Sequence, residues 1–148
     1  MRLNALSLLA TAMLTTAVAS PSLAYDAALA ETLGADEHGM KMYALVLLKP
    51  GPRQDLAKED RDRVFAGHMA NINRLSGSGD LVFAGPLEKN DRYRGIFVFN
   101  VKTSAEAEAL LATDPAVQAG ALAGDVYLLY GSAALQQVTS IHRSISKD

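Results

Sequence analysis

The sequence contains no cysteine among its 148 residues. Thiol nucleophiles and cysteine-ligated metal sites are therefore excluded as functional classes. Basic residues are not clustered either, because 14 Lys and Arg are spread along the chain against 16 Asp and Glu, for a formal net charge of −2. Since nucleic-acid binding depends on basic patches that neutralise phosphates, this pattern argues against a nucleic-acid partner.

Several common catalytic and binding motifs are also absent. The chain has neither a glycine-rich loop that would cradle a phosphate nor a nucleophile elbow. Its three histidines, His38, His68 and His142, do not have the spacing of a metal site. We therefore expect no metal and no cofactor, and we expect any chemistry to use ordinary acids and bases on a small-molecule ligand.

The first 24 residues are typical of a signal peptide. Arg2 precedes a mostly apolar stretch from Ala5 to Val18, and the small residues Ser22 and Ala24 stand where a signal peptidase requires them. The stretch is too short and too often interrupted by Thr and Ser for a membrane span. We predict cleavage after Ala24 and a periplasmic or secreted protein with no stable membrane anchor; an amphipathic N-terminal helix is the alternative.

The rest of the chain has the size of one domain and the periodicity of an α+β fold. Residues 25–41 form a polar lead-in, which is either a linker or a loosely attached short helix. The domain spans residues 42–131, and the tail from 132 to 148 has no assignment. The predicted strands are 42–48, 81–84, 95–101 and 125–130, and the predicted helices are about 58–76 and 103–112.

Local signals support this order of elements. Thr103 and Glu106 have the spacing of a capping box at the start of the second helix. Asp114 followed by Pro115 predicts the N-cap and first position of a short helical turn. The order strand, helix, strand, strand, helix, strand is the βαββαβ pattern of a ferredoxin-like sandwich.

Both faces of the predicted sheet are apolar, as the stretch GIFVFNV from Gly95 to Val101 illustrates. Two helices cover only one face of a four-stranded sheet, and a soluble monomer rarely exposes a bare apolar face. We therefore expect a second copy to cover it in a two-fold homodimer, a dimeric α+β barrel. A C-terminal segment folded back over the sheet is the alternative.

His68 lies on the apolar face of the first predicted helix. On a helical wheel it falls between Leu75 and Ile72, so its side chain points toward the sheet. Such a residue is either a core histidine with a satisfied hydrogen bond or a site residue oriented by a carboxylate. Asp114 is the best carboxylate, because it is the only acid from Ala109 to Gly124 and can cap a helix while binding an imidazole.

Three segments resemble the YCII-related (YciI-like) domain family. They are YALVLLKPGP, GHMANINRLSGSGDLVFAGPL and LLATDPAVQAGALAGDVYLLY, in this order between Met42 and Gly131. The resemblance implies a ferredoxin-like dimer whose sheets pack into an α+β barrel. It also implies an active-site His–Asp pair, which falls on His68 and Asp114, and a family turn that falls on Gly85.

Substrate-binding candidates are Gly85, Lys49 and Arg94. Lys49 directly follows a strand, and Arg94 ends a charged hairpin loop, so either could bind an anion, although both positions are also typical of solvated side chains. Two hypotheses follow for the whole protein. It is an exported, cofactor-independent enzyme with isomerase- or lyase-type acid–base chemistry, or a non-catalytic small-molecule-binding or structural dimeric module. Haem handling is a third, since related barrels bind haem.

Overall fold

The computed structural model describes residues 24–147, so the predicted signal peptide lies outside the described residues apart from Ala24. Within residues 24–147 no helix is long and apolar enough to cross a membrane. In chain order the elements are α1 (Ala27–Leu33), β1 (Met40–Pro50), α2 (Lys58–Ser78), β2 (Leu81–Pro86), β3 (Gly95–Phe99), α3 (Ser104–Leu111), α4 (Pro115–Gln118), β4 (Leu122–Ser132), a 3₁₀ helix (Ala133–Gln137) and α5 (Val138–Ile145).

The four strands form one antiparallel sheet with the order β2-β3-β1-β4. Helix α2 connects β1 to β2, and α3 and α4 connect β3 to β4. This is the ferredoxin-like βαββαβ arrangement, so the predicted α+β fold of the single chain is confirmed.

One face of the sheet and the helices enclose the main hydrophobic core. Alternate residues of each strand point to this face, as the pleat of a strand requires. Each large apolar side chain that is buried in this way contributes about 1.5–3 kcal/mol to stability. The buried cluster comes from β1, β3, α2 and α3 and includes Ala44, Val46, Leu48, Phe97, Phe99, Leu75, Ala107 and Leu111.

The predicted caps at the starts of α3 and α4 are confirmed. Thr103 accepts from the backbone N–H of Glu106 while the Glu106 carboxylate binds the backbone N–H of Thr103, which completes the capping box. Asp114 caps α4, with Pro115 at its first position. Helix α2 continues to Ser78 and ends at Gly79, whose φ of 83° is in the left-handed region that glycine adopts without strain.

Strands β1 and β4 are longer than the local pattern predicts, with 11 residues each. Their pairing extends from Met40 opposite Ser132 to Pro50 opposite Leu122. Each residue beyond the predicted strand ends is paired with a residue of the other strand. Such long-range pairing leaves no signal in local periodicity. Strand β3, in contrast, ends at Phe99, two residues before the predicted end.

The lead-in and the C-terminal tail pack against each other. The lead-in contains α1, whose residue Leu33 is buried, so it is a helix and not a linker. Gln136 of the 3₁₀ helix donates its side-chain amide to the backbone carbonyl of Leu33 at 2.6 Å. The tail thereby connects the start of the described chain to the sheet.

The 3₁₀ helix covers part of the second face of the sheet. The Tyr43 hydroxyl on this face donates to the carbonyls of Ser132 at 3.0 Å and Ala133 at 3.2 Å, and burial raises the pKa of Tyr43. Leu135 packs against the same cluster. Tyr127, on this face of β4, stays 50% exposed. The folded-back C-terminal segment therefore accounts for part of this face and leaves an apolar strip near Tyr127.

Candidate active site

Helix α2 places His68 against the helix-covered face of the sheet. The buried side of α2 carries His68, Asn71 and Leu75, which recur at helical spacing. Gly67 allows α2 to lie close to α4, because a Cβ at this position would be only 3.0 Å from Cγ of Pro115. The close approach brings His68 next to the residue that precedes Pro115.

That residue, Asp114, shares a buried hydrogen bond with His68. The distance from Nδ1 of His68 to Oδ2 of Asp114 is 2.7 Å, and the Asp114 side chain is only 1% exposed. The other carboxylate oxygen accepts the N–H of Ala116 at 2.8 Å as the cap of α4. Because an ionised carboxylate only accepts, Nδ1 donates, and a neutral imidazole keeps Nε2 as its acceptor.

Two aromatic rings fix the plane of the imidazole. Phe97 stacks on His68 with ring centroids 5.7 Å apart, and the Phe65 ring meets it edge-on at 5.8 Å. Nε2 has no hydrogen bond to any residue in 24–147, yet no fully buried side-chain nitrogen or oxygen in this part of the chain lacks a partner. Nε2 is therefore not fully buried, and His68 is one of the residues that line a cavity.

The cavity has a volume of about 980 Å³ and lies between α2, the β2–β3 hairpin and α5. This volume is in the range of small-molecule sites. Much of its wall is apolar and includes Phe65, Met69, Ile72 and Phe83. The apolar stripe of α2 is thus divided, since Val64 and Leu75 belong to the core while Phe65 and Met69 remain partly exposed along the cavity.

The sheet separates the predicted substrate-binding residues. Gly85 and Arg94 line the cavity of His68. Lys49 does not line it. Its side chain shares the second face of the sheet with Asp125, with which it forms a salt bridge. The pleat is the physical reason, because position 49 points away from the face occupied by Leu48.

Sequence reasoning missed four further basic residues of the cavity wall: Arg53, Arg61, His142 and Arg143. One usable signal existed for Arg61, which lies four residues before Phe65 and eight before Met69 and so shares their side of α2. For His142 and Arg143 no local signal places α5 beside β2. Their position follows from the path of the chain across the second face of the sheet.

The family model of the YCII-related domain matches residues 42–127. The chain belongs to the YCII-related domain family. The match contains both His68 and Asp114 and extends from β1 into β4, whereas α1, the 3₁₀ helix and α5 lie outside it. The cavity of this YCII-related protein is therefore lined partly by the family domain and partly by a C-terminal addition. This addition consists of the 3₁₀ helix and α5, residues 133–145.

A similar solved structure is that of 5-chloro-2-hydroxyhydroquinone dehydrochlorinase (TftG) from Burkholderia phenoliruptrix AC1100, in complex with 2,5-dihydroxybenzoquinone. It is 18% identical to this chain with a TM-score of 0.41, over 59% of this chain and 91% of that chain. No curated protein matches the sequence. Membership of the YCII-related family thus rests on the family model, and the candidate site rests on its own geometry.

In this YCII-related protein, replacing Asp114 should cost more than the loss of a helix cap. Asp114→Ala removes the cap of α4, worth about 1 kcal/mol, and leaves a buried imidazole N–H without an acceptor, at about 1–3 kcal/mol. We expect the free energy of unfolding in urea to fall by about 2–4 kcal/mol in total. Thr103→Ala, which removes the exposed cap of α3, is the matched control and should cost only about 1 kcal/mol. Equal losses of unfolding free energy in the two variants would show that the hydrogen bond between His68 and Asp114 adds nothing to stability.

Proposed function

We propose that this protein is a small, cofactor-independent enzyme that uses His68 to transfer a proton in an isomerase- or lyase-type reaction. One observation carries the proposal. The imidazole is bound at Nδ1 by the buried carboxylate of Asp114, while its ring lines a cavity large enough for a small organic substrate. A general base needs both a carboxylate partner and access to a ligand, whereas a core histidine needs only a hydrogen-bond partner.

His68 acts first as a base in this scheme. Nε2 takes a proton from an acidic C–H bond of the substrate, and Asp114 stabilises the imidazolium that forms. In an isomerisation the C–H electron pair moves into the adjacent conjugated system, and Nε2 returns the proton to a different atom. In an elimination the electron pair forms a double bond, and the leaving group departs with its own bonding pair.

A non-catalytic binding or structural module is the second hypothesis, and one observation favours it. Asp114 both caps α4 and binds His68, so the pair connects α2 to α4 whether or not any chemistry occurs. In such a module His68→Ala would lower stability without any activity to lose. The two hypotheses therefore differ in what His68 does to a bound ligand.

Deuterium exchange tests the catalytic hypothesis without knowledge of the product. Carbonyl compounds with acidic C–H bonds that bind the protein are incubated with it in D₂O, and incorporation is read by mass spectrometry. We expect incorporation into at least one bound compound. His68→Asn should slow it by about 10²–10⁴-fold, the usual contribution of a positioned acid–base group.

The matched control for this experiment is His38→Asn. His38 is an exposed histidine in the lead-in, so the control variant should exchange at the wild-type rate. Exchange in none of the bound compounds, or an unchanged rate in His68→Asn, would contradict the catalytic hypothesis and favour the module. A His68-dependent Soret band on titration with haemin would contradict it as well and would favour haem handling.

Export and a two-fold dimer complete the proposal. Export is supported by the signal-peptide pattern of residues 1–24. The dimer is supported by the strip around Tyr127, which is half exposed, with Leu45 and Leu129 of the same face only partly buried. A second copy placed on this strip would remove its apolar surface from water.

Native mass spectrometry tests both export and dimerisation. The protein is produced in a bacterial host from a gene that includes residues 1–24. The expected mass is twice that of a chain beginning at Tyr25. Tyr127→Glu should convert the dimer to a monomer, because a carboxylate would be buried without a partner in the interface. A mass that retains residues 1–24 would contradict export, and a monomeric wild type would contradict the dimer.

A further inference from the structure

The charged residues around the His68 cavity all have the same sign. Four arginines line it from separate parts of the chain, and no Asp or Glu side chain of residues 24–147 does so. Acidic residues nevertheless outnumber basic ones in the whole sequence. The four are Arg53 in the loop after β1, Arg61 on α2, Arg94 immediately before β3, and Arg143 on α5.

Most of this positive charge is not neutralised by the protein itself. In the described part of the chain, the only salt bridge made by the four arginines is that of Arg53 with Asp55, at 3.7 Å. Arg94 donates to the backbone carbonyl of Asn90 in its own loop at 2.7 Å. The side chains of Arg61 and Arg143 form no salt bridge or hydrogen bond with any residue in 24–147, so their N–H donors are available to a ligand.

Apolar surface lies beside these charges. Phe65 and Phe83 are each 39% exposed and Met69 is 54% exposed, although all three line the cavity. Exposed aromatic and thioether side chains inside a concave site favour a ligand with an apolar, planar body. The cavity thus combines an apolar wall with the guanidinium groups of four arginines, of which only Arg53 forms a salt bridge within residues 24–147.

We propose that the substrate is an organic carboxylate with an apolar, planar body, and that Arg61, which shares the side of α2 that carries Phe65 and Met69, binds its carboxylate. The planar guanidinium fork matches the two oxygens of a carboxylate, which a compact cation does not. The proposal rests on the catalytic function of His68, because the same positive charge would stabilise the anion that forms when Nε2 removes a proton. Arg143 does not share this role, because its guanidinium lies beside Gly77, about 24 Å along α2 from Arg61.

A pair of neutral and anionic probes of the same shape tests this substrate class. Binding of 2-naphthoate and of 2-naphthalenemethanol to the purified protein is measured by isothermal titration calorimetry at low ionic strength. We expect the acid to bind at least about tenfold more tightly than the alcohol. Arg61→Gln should weaken binding of the acid by about 3–10-fold and leave binding of the alcohol unchanged, whereas Arg143→Gln should weaken binding of the acid by less than about twofold.

Arg63→Gln is the matched control for these variants. Arg63 is on the same helix and carries the same charge, but it pairs with Asp60 at 2.6 Å and does not line the cavity. Its effect on binding of the acid should be less than twofold. Equal affinities for acid and alcohol, no binding of either, or an effect of Arg63→Gln as large as that of Arg61→Gln would overturn the proposal.

The outcome is separable from that of the catalytic hypothesis, because binding is measured without turnover. His68→Asn should retain the preference for the acid. A preference for the acid without His68-dependent deuterium exchange would leave the ligand class standing and remove the catalysis. His68-dependent deuterium exchange without a preference for the acid would support the catalysis and overturn the proposed ligand class.

Discussion

The buried hydrogen bond between His68 and Asp114 is the interaction on which the rest of the structure depends. A carboxylate that is 1% exposed needs a partner for each oxygen, because an unpaired buried charge is costly. The backbone of Ala116 satisfies one oxygen, and the imidazole satisfies the other. The same bond joins α2 to the connection before β4 and determines which ring nitrogen is left for a ligand. Stability and candidate chemistry therefore depend on the same two side chains.

The cavity has two structural origins. The family domain supplies His68, Asp114 and most of the apolar wall. The C-terminal addition crosses the second face of the sheet, is anchored there by the buried Tyr43 hydroxyl, and delivers α5 to the edge of β2. Since α5 supplies His142 and Arg143 to the wall, the polar lining of the cavity depends on this addition as well as on the family domain.

The pair could be anticipated from sequence because its signals are local. Helical spacing placed His68 toward the sheet, a stretch with a single acid made Asp114 the best candidate for its partner, and the resemblance to the YCII-related family implied the pair. Capping chemistry located Asp114 and Thr103 for the same reason. The sequence did not indicate that Lys49 lies on the opposite face of the sheet from His68, because that depends on strand pleating and on its pairing with Asp125. Arg143 was missed because only the three-dimensional path of the chain brings α5 to the cavity. Long-range strand pairing likewise lengthened β1 beyond its local pattern.

The tautomer of His68 tests the central claim most directly. The ¹⁵N chemical shifts of the two ring nitrogens are measured at a pH where the imidazole is neutral, in the wild type and in Asp114→Asn. The account predicts a hydrogen on Nδ1 and a bare Nε2 in the wild type, because the carboxylate of Asp114 only accepts. In Asp114→Asn, where the amide can donate to Nδ1, the hydrogen should move to Nε2. A wild-type ring with its hydrogen on Nε2 would contradict the account.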